Sequence, residues 1–143
     1  MLMVCVLFGH RDAPGEIIVL LKRKILELMR DYEDIEFFVG NNGNFDFISQ
    51  KILREIALDN DSLKYYIVLS YIDECALIGD NNDTLFPEGQ ELGLKRFAIS
   101  RRNDWLLKKA DIVLCYVKHI GTNSYELLKR AERRSVRILN VGQ

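Results

Sequence analysis

The sequence lacks an excess of charge of either sign: its 143 residues hold 20 basic and 21 acidic side chains, for a net charge of -1. That balance argues against a broad electrostatic grip on nucleic acid, while leaving room for a local basic patch. Cysteine is scarce. Cys5, Cys75 and Cys115 are odd in number and show no C-x-x-C spacing, which suggests neither a disulfide framework nor a zinc site. Cys5 and Cys115 sit inside apolar runs and read as small buried hydrophobes. No apolar stretch reaches the roughly 18 residues of a membrane span. The apolar opening Met1–Phe8 lacks a basic flank and a small-residue cleavage site, so it reads as a strand and not as a signal peptide. Internal repeats, low-complexity tracts and linkers are also missing. What remains is one domain over residues 1–143, cytoplasmic by default, with 48% hydrophobic and 29% charged residues. A chain of this length buries roughly 68–70% of its unfolded surface.

Short apolar runs alternate with amphipathic segments, the βαβ pattern of a parallel sheet. Strands are expected at residues 3–8, 35–39, 65–71, 112–117 and 136–141. Helices are expected at 14–31, with Pro14 in the first turn, at 44–59, at about 91–110 with a break near Ser100, and at 122–134. The second helix is expected to bury Phe47, Ile48, Ile52, Leu53 and Ile56. Residues 73–93, with two turn-rich stretches, read as irregular and as a candidate flap. The fold class is therefore α/β: a Rossmann-like three-layer sandwich, a mainly parallel five-stranded sheet with helices on both faces.

Ligands of such sheets sit beyond the carboxyl ends of the strands. Gly9-His10-Arg11-Asp12 ends the first strand and precedes a helix, whose unpaired N–H groups suit a phosphate, with Arg11 able to add a bidentate contact. The alternative is a plain turn in which Asp12 caps the helix. Gly40-Asn41-Asn42-Gly43 ends the second strand. Its glycines allow close backbone approach, Asn44 is placed to cap the next helix, and Asp46 is placed to accept ribose hydroxyls. The turn Lys118-His119-Ile120-Gly121-Thr122-Asn123-Ser124 again precedes a helix, and either binds phosphate or caps that helix. His119 reads as an exposed loop residue in preference to a catalytic base. Arg101, Arg102 and Asn103 offer a phosphate grip and a base or ribose contact, or else solvated helix charges beside a core Trp105. No metal site and no cofactor beyond a nucleotide-type ligand is indicated.

Four stretches in this order resemble the SLOG superfamily of Rossmann-like proteins, especially its small bacterial members. They are Phe8-Gly9-His10-Arg11, Phe38 to Asp46, Arg102-Asn103-Asp104-Trp105 leading into Lys109-Ala110-Asp111, and Arg137-Ile138-Leu139-Asn140-Val141. The superfamily includes the lonely-guy phosphoribohydrolases and the DNA-processing recombination mediators. The resemblance covers nearly the whole chain and implies a nucleotide-derived ligand at the strand ends, held by Gly9, His10, Arg11, Gly40, Asn41, Gly43, Asp46, Arg102, Asn103, Gly121, Thr122 and Ser124. A sensor or sequestering module fits that expectation, and the family's habit of dimerising implies a homo-oligomer. The phosphoribohydrolases carry P-G-G-x-G-T-x-x-E; here the proline and paired glycines are missing, and Glu126 follows Thr122 by four positions. An N-glycosidase using Glu126, with Arg101 or Arg102 on the phosphate, is thus the alternative, and a nucleic-acid or protein interaction module is a second.

Overall fold

The computed structural model describes residues 1–71, 83–90 and 93–143. Cys75 and most of the 73–93 segment lie outside the described residues. Six strands form one sheet: β1 (Met3–Gly9), β2 (Ile35–Val39), β3 (Lys64–Val68), β4 (Thr84–Leu85), β5 (Ile112–Tyr116) and β6 (Arg137–Asn140). Their spatial order is β4-β3-β2-β1-β5-β6, and every pairing is parallel. The fold is thus the expected Rossmann-like α/β class, with β4 added to the five strands read from sequence. Two residues are too few to show any periodicity. β4 exists because Thr84 and Leu85 pair with Ile67 and Val68, and because Asp83 accepts hydrogen bonds from Arg54 and Tyr65 just before it. Burial, and then the bond to Asp83, push the Tyr65 hydroxyl up to about 12.

Four helices cover the sheet among the described residues: α1 (Ile18–Asp31), α2 (Asn44–Asp59), α3 (Ala98–Lys109) and α4 (Asn123–Glu132). Alternation along β1 assigns the faces. Cys5 and Leu7 pack under α1 and α2 with Leu21, Ile25, Leu53 and Phe45. Val6 and Phe8 point the other way, to Leu106, Leu107, Leu127 and Leu128 of α3 and α4. β5, buried along its whole length, is the sheet's apolar spine, as its unbroken Ile-Val-Leu-Cys-Tyr run requires. Each fully buried leucine, isoleucine or phenylalanine in these layers stabilises the fold by roughly 1.5–3 kcal/mol.

Three local expectations change. Phe47 is 53% exposed, and α2 buries Phe45 in its place; α2 begins at Asn44, so Phe45 and not Phe47 shares the inward face with Ile52, Leu53 and Ile56. Asn44 does not cap α2: Gly43 holds the cap position, and the Asn44 side chain donates to the Ala13 carbonyl. The region before the fourth long strand is a 3-10 turn at Lys95–Phe97 followed by α3, which runs unbroken through Ser100.

Candidate functional site

β1 leads to β2 on one side, and β5 lies on its other side, so strand order reverses between β1 and β5. A cavity of about 540 Å³ opens at the carboxyl ends of these strands, where an open α/β sheet offers a ligand crevice. Leu7, Phe8, Gly9 and His10 form one wall; Ile99, Arg102, Asn103 and Leu106 of α3, and Leu127 of α4, form another. Gly40, Asn42 and Asp46 close one side, and His119 with Thr122, Asn123 and Ser124 the other. Arg11 and Asp12, both exposed, complete the lining.

The glycines at the strand ends make room for protein groups. A Cβ on Gly9 would lie 2.5 Å from Cγ of the buried Phe45 ring, and one on Gly40 would lie 2.5 Å from Arg102 Nη1 and 2.8 Å from Asp46 Oδ2. Gly43 has φ +107°, and a Cβ there would lie 2.8 Å from the Arg11 Cα. The turns after β1 and β2 are therefore packed on one another. Asn44 N–H donates to the Arg11 carbonyl at 2.9 Å, and Phe45 N–H to the His10 carbonyl at 3.4 Å.

His10 is a fastening between loops. It is 3% exposed, and its Nε2 accepts the backbone N–H of Lys118 at 2.8 Å and of His119 at 3.0 Å. Two donors on Nε2 require the neutral ring with its proton on Nδ1. The ring stacks on His119 at 5.1 Å between centroids and meets Tyr116 edge-on. Burial lowers the His10 pKa, the neighbouring His119 lowers it further, and Asp12 opposes both. The His10 amide donates to the Tyr116 carbonyl at 3.2 Å, so it is not open to a ligand's phosphate.

The turn after β5 is tied down from behind as well. Asn140 accepts from Val117 N–H at 3.1 Å and donates to its carbonyl at 3.0 Å. Thr122 caps α4, its Oγ1 accepting from Tyr125 N–H at 3.1 Å. Capping satisfies one of the orphan donors of the first turn and leaves those of Asn123 and Ser124 without intrahelical partners. Thr122 thus caps the helix and lines the cavity together.

Arg102 and Asp46 form the buried charged wall. Arg102 is 4% exposed and Asp46 6%. Arg102 Nη1 donates to Asn42 Oδ1 at 2.7 Å and to the Val68 carbonyl at 3.4 Å, while Nε and Nη2 both donate to Asn103 Oδ1, at 3.2 and 2.9 Å. Asp46 Oδ2 accepts Asn42 N–H at 2.9 Å. Burial pushes the Asp46 carboxyl up to about 6, although Arg102, the Asn42 N–H and Arg11 all favour its ionised form.

Residues expected at the site divide accordingly. Gly9, His10, Arg11, Gly40, Asp46, Arg102, Asn103, Thr122 and Ser124 line the cavity; Asn41, Gly43 and Gly121 do not. Asn41 accepts from Gln50 at 3.0 Å behind the turn. Gly121 is exposed at φ +80°. Arg101 donates to the carbonyls of Gln90 and Leu94, off the cavity wall. Glu126 is exposed and also off the wall. Asn42, Asn123 and the apolar trio Ile99, Leu106 and Leu127 line the cavity without having been singled out. Asn42 stood inside the quoted turn, but only the fold shows which of two adjacent asparagines turns inward. Among the described residues, no group of three or more histidine, cysteine, aspartate or glutamate side chains is placed to hold a metal ion. No described helix is long and apolar enough to cross a membrane.

No protein-family model matches the sequence, and no curated protein matches it. The fold is similar to that of DNA processing protein A (DprA) from Streptococcus pneumoniae, with a TM-score of 0.70 and 14% sequence identity over 97% of this chain and 50% of that one. The chain therefore spans half the length of that protein. Likeness at this identity establishes the Rossmann-like fold and nothing beyond it.

Proposed function

We propose that the protein binds a nucleotide or nucleotide-derived ligand in the cavity at the β1/β5 switch point. The observation that carries this reading is the cavity's polarity. One side is the capped N-terminus of α4, suited to a phosphate. The other is the buried Asp46–Arg102 wall with Asn42 and Asn103, and apolar side chains from α3 and α4 lie between them. Arg11 adds a mobile-length cation that reaches an anion without the cost of full burial. Such a mixture of apolar walls with a few fixed polar groups is what small-ligand sites require. Calorimetric titration of folded protein with nucleoside phosphates, cyclic nucleotides and ADP-ribose derivatives tests it. Micromolar or tighter binding to one of them, lost on acidifying Ser124 (Ser124→Asp), is the expected result. A flat titration across the whole panel sinks the reading.

The N-glycosidase alternative keeps no carboxylate at Glu126 that faces the cavity. The nucleic-acid alternative draws on the fold shared with a DNA-processing protein. The net charge of -1 weighs against it, and a mobility shift at low salt, where phosphate contacts are strongest, decides it.

A further inference from the structure

We infer that Asn42, Asp46 and Asn103 form a diol subsite that selects ribose over deoxyribose, with Arg102 as the residue that positions the two asparagines. This rests on the nucleotide-binding reading above and names what part of the ligand that wall takes.

Arg102 was expected to meet a phosphate. Its guanidinium instead donates to Asn42 Oδ1, to Asn103 Oδ1 twice and to the Val68 carbonyl. A guanidinium has donors only, so both amides must turn their oxygens to it. Their Nδ2 groups are then the ends left to serve a ligand, and both residues line the cavity. Asp46 is likewise half committed. Oδ2 takes the Asn42 N–H, whereas Oδ1 accepts no hydrogen bond from the described residues and is not an enclosed orphan. The wall therefore presents one carboxylate acceptor flanked by two amide donors, with Asp46 and Arg102 almost fully buried and the two asparagines half-buried.

That set discriminates between ligand groups. A phosphate offers acceptors only and meets the Asp46 carboxylate unfavourably. The paired N–H edge of guanine is best met by both oxygens of a carboxylate, and only Oδ1 is open. A vicinal diol fits: each hydroxyl donates to Oδ1 or accepts from an amide Nδ2. Gly40 is part of the arrangement, because any side chain there would strike Arg102 Nη1 and Asp46 Oδ2. A ligand lacking a hydroxyl leaves a buried polar group unserved, which costs about tenfold or more in affinity.

The test compares, by calorimetry at pH 7.5, the four ribonucleoside 5′-monophosphates with their 2′-deoxy and 3′-deoxy counterparts, and with ribose 5-phosphate. The expected result is that removing either hydroxyl weakens the best binder about tenfold or more. Asp46→Asn, which keeps the shape and an acceptor for the Asn42 N–H, is expected to reduce the preference to about threefold or less, with the ribo forms losing the most affinity. Equal binding of ribo and deoxy forms overturns the diol subsite and leaves the nucleotide reading standing. So does a preference for guanine indifferent to the sugar. No binding by any ribonucleotide, deoxynucleotide or ribose 5-phosphate overturns the diol subsite, and the nucleotide reading falls with it if cyclic nucleotides and ADP-ribose derivatives also fail to bind. The ligand comparison is made on the wild-type protein, so it decides the matter even if a variant misfolds.

Discussion

The imidazole of His10 holds the backbone of Lys118 and His119 through a single nitrogen, 108 and 109 positions away in the chain. It joins the end of β1 to the loop that carries the α4 N-terminus. The side chain thus shapes one side of the cavity by fastening a neighbouring loop.

Removing the acceptor leaves two partly buried N–H groups unpaired. His10→Phe, which keeps a ring between Tyr116 and His119, is expected to lower stability by about 1–3 kcal/mol in urea unfolding at pH 7.5. The pH dependence follows from the lowered His10 pKa. The unfolded chain takes up a proton near 6.5 and the folded chain only at lower pH. His10's contribution is therefore complete above the unfolded value and is lost as pH falls through the folded one. The wild type should weaken across this window relative to His10→Phe, and an unchanged gap between the two would remove His10 from the account.

Asp46 titrates with the opposite sign. Its carboxyl is raised from 3.8 to about 6, so the folded state holds the proton more firmly than the unfolded one. Stability on this account falls as pH rises from about 4 to 6, and the deficit is full above 6. Asp46→Asn removes the ionisation and should be more stable than wild type by about 1–3 kcal/mol at pH 8, with the difference closing near pH 4. Urea midpoints at the two pH values check this. A buried carboxyl held at the expense of stability is what the proposed binding role of Asp46 leads one to expect.

Glycine substitutions separate packing from ligand access. Gly9→Ala drives a methyl group into the Phe45 ring, 2.5 Å from Cγ. It is expected to cost about 1–3 kcal/mol with or without a ligand. A methyl on Gly15 meets nothing within 4 Å, so Gly15→Ala should stay within about 0.5 kcal/mol of wild type. Thermal unfolding of the two variants makes the comparison, and equal losses would mean that the strand-end glycine is not a packing requirement.

The parallel sheet was legible because its strands are unbroken apolar runs: Ile112–Tyr116 can only be a strand buried on both faces. The strand-end glycines were legible as signals of close approach, but not of what approaches. Gly9, Gly40 and Gly43 admit Phe45, the Arg102–Asp46 pair and Arg11, contacts made across 6 to 62 positions that no local spacing encodes. Arg101 and Arg102 look alike in sequence. On a helix, adjacent residues point about 100° apart, and only Arg102 faces the cavity. Strand β4 was illegible because it depends on Asp83 meeting Arg54 and Tyr65 from two other elements.

That difference between neighbouring arginines yields the last prediction. Arg101 donates to the carbonyls of Gln90 and Leu94, and Gln90 in turn donates to Ser70 and Ala98 carbonyls. Arg101 therefore straps the segment before α3 against the end of β3, and touches no cavity wall. Arg101→Gln should speed amide exchange several-fold at Gln90 and Phe97, whose N–H groups donate to the Pro87 and Leu94 carbonyls, because the segment loses its anchor. Affinity for the best nucleotide of the panel should stay within about twofold. Glu126→Gln should change neither exchange nor affinity, since Glu126 is exposed on the first turn of α4 and off the wall. Arg102→Lys should do the reverse of Arg101→Gln. A single ammonium cannot hold Asn42 and Asn103 in the forked geometry, so the preference for ribose should collapse while exchange at Gln90 and Phe97 is unchanged. If Arg101→Gln abolishes binding and Arg102→Lys spares it, the roles of the two arginines have been assigned the wrong way round.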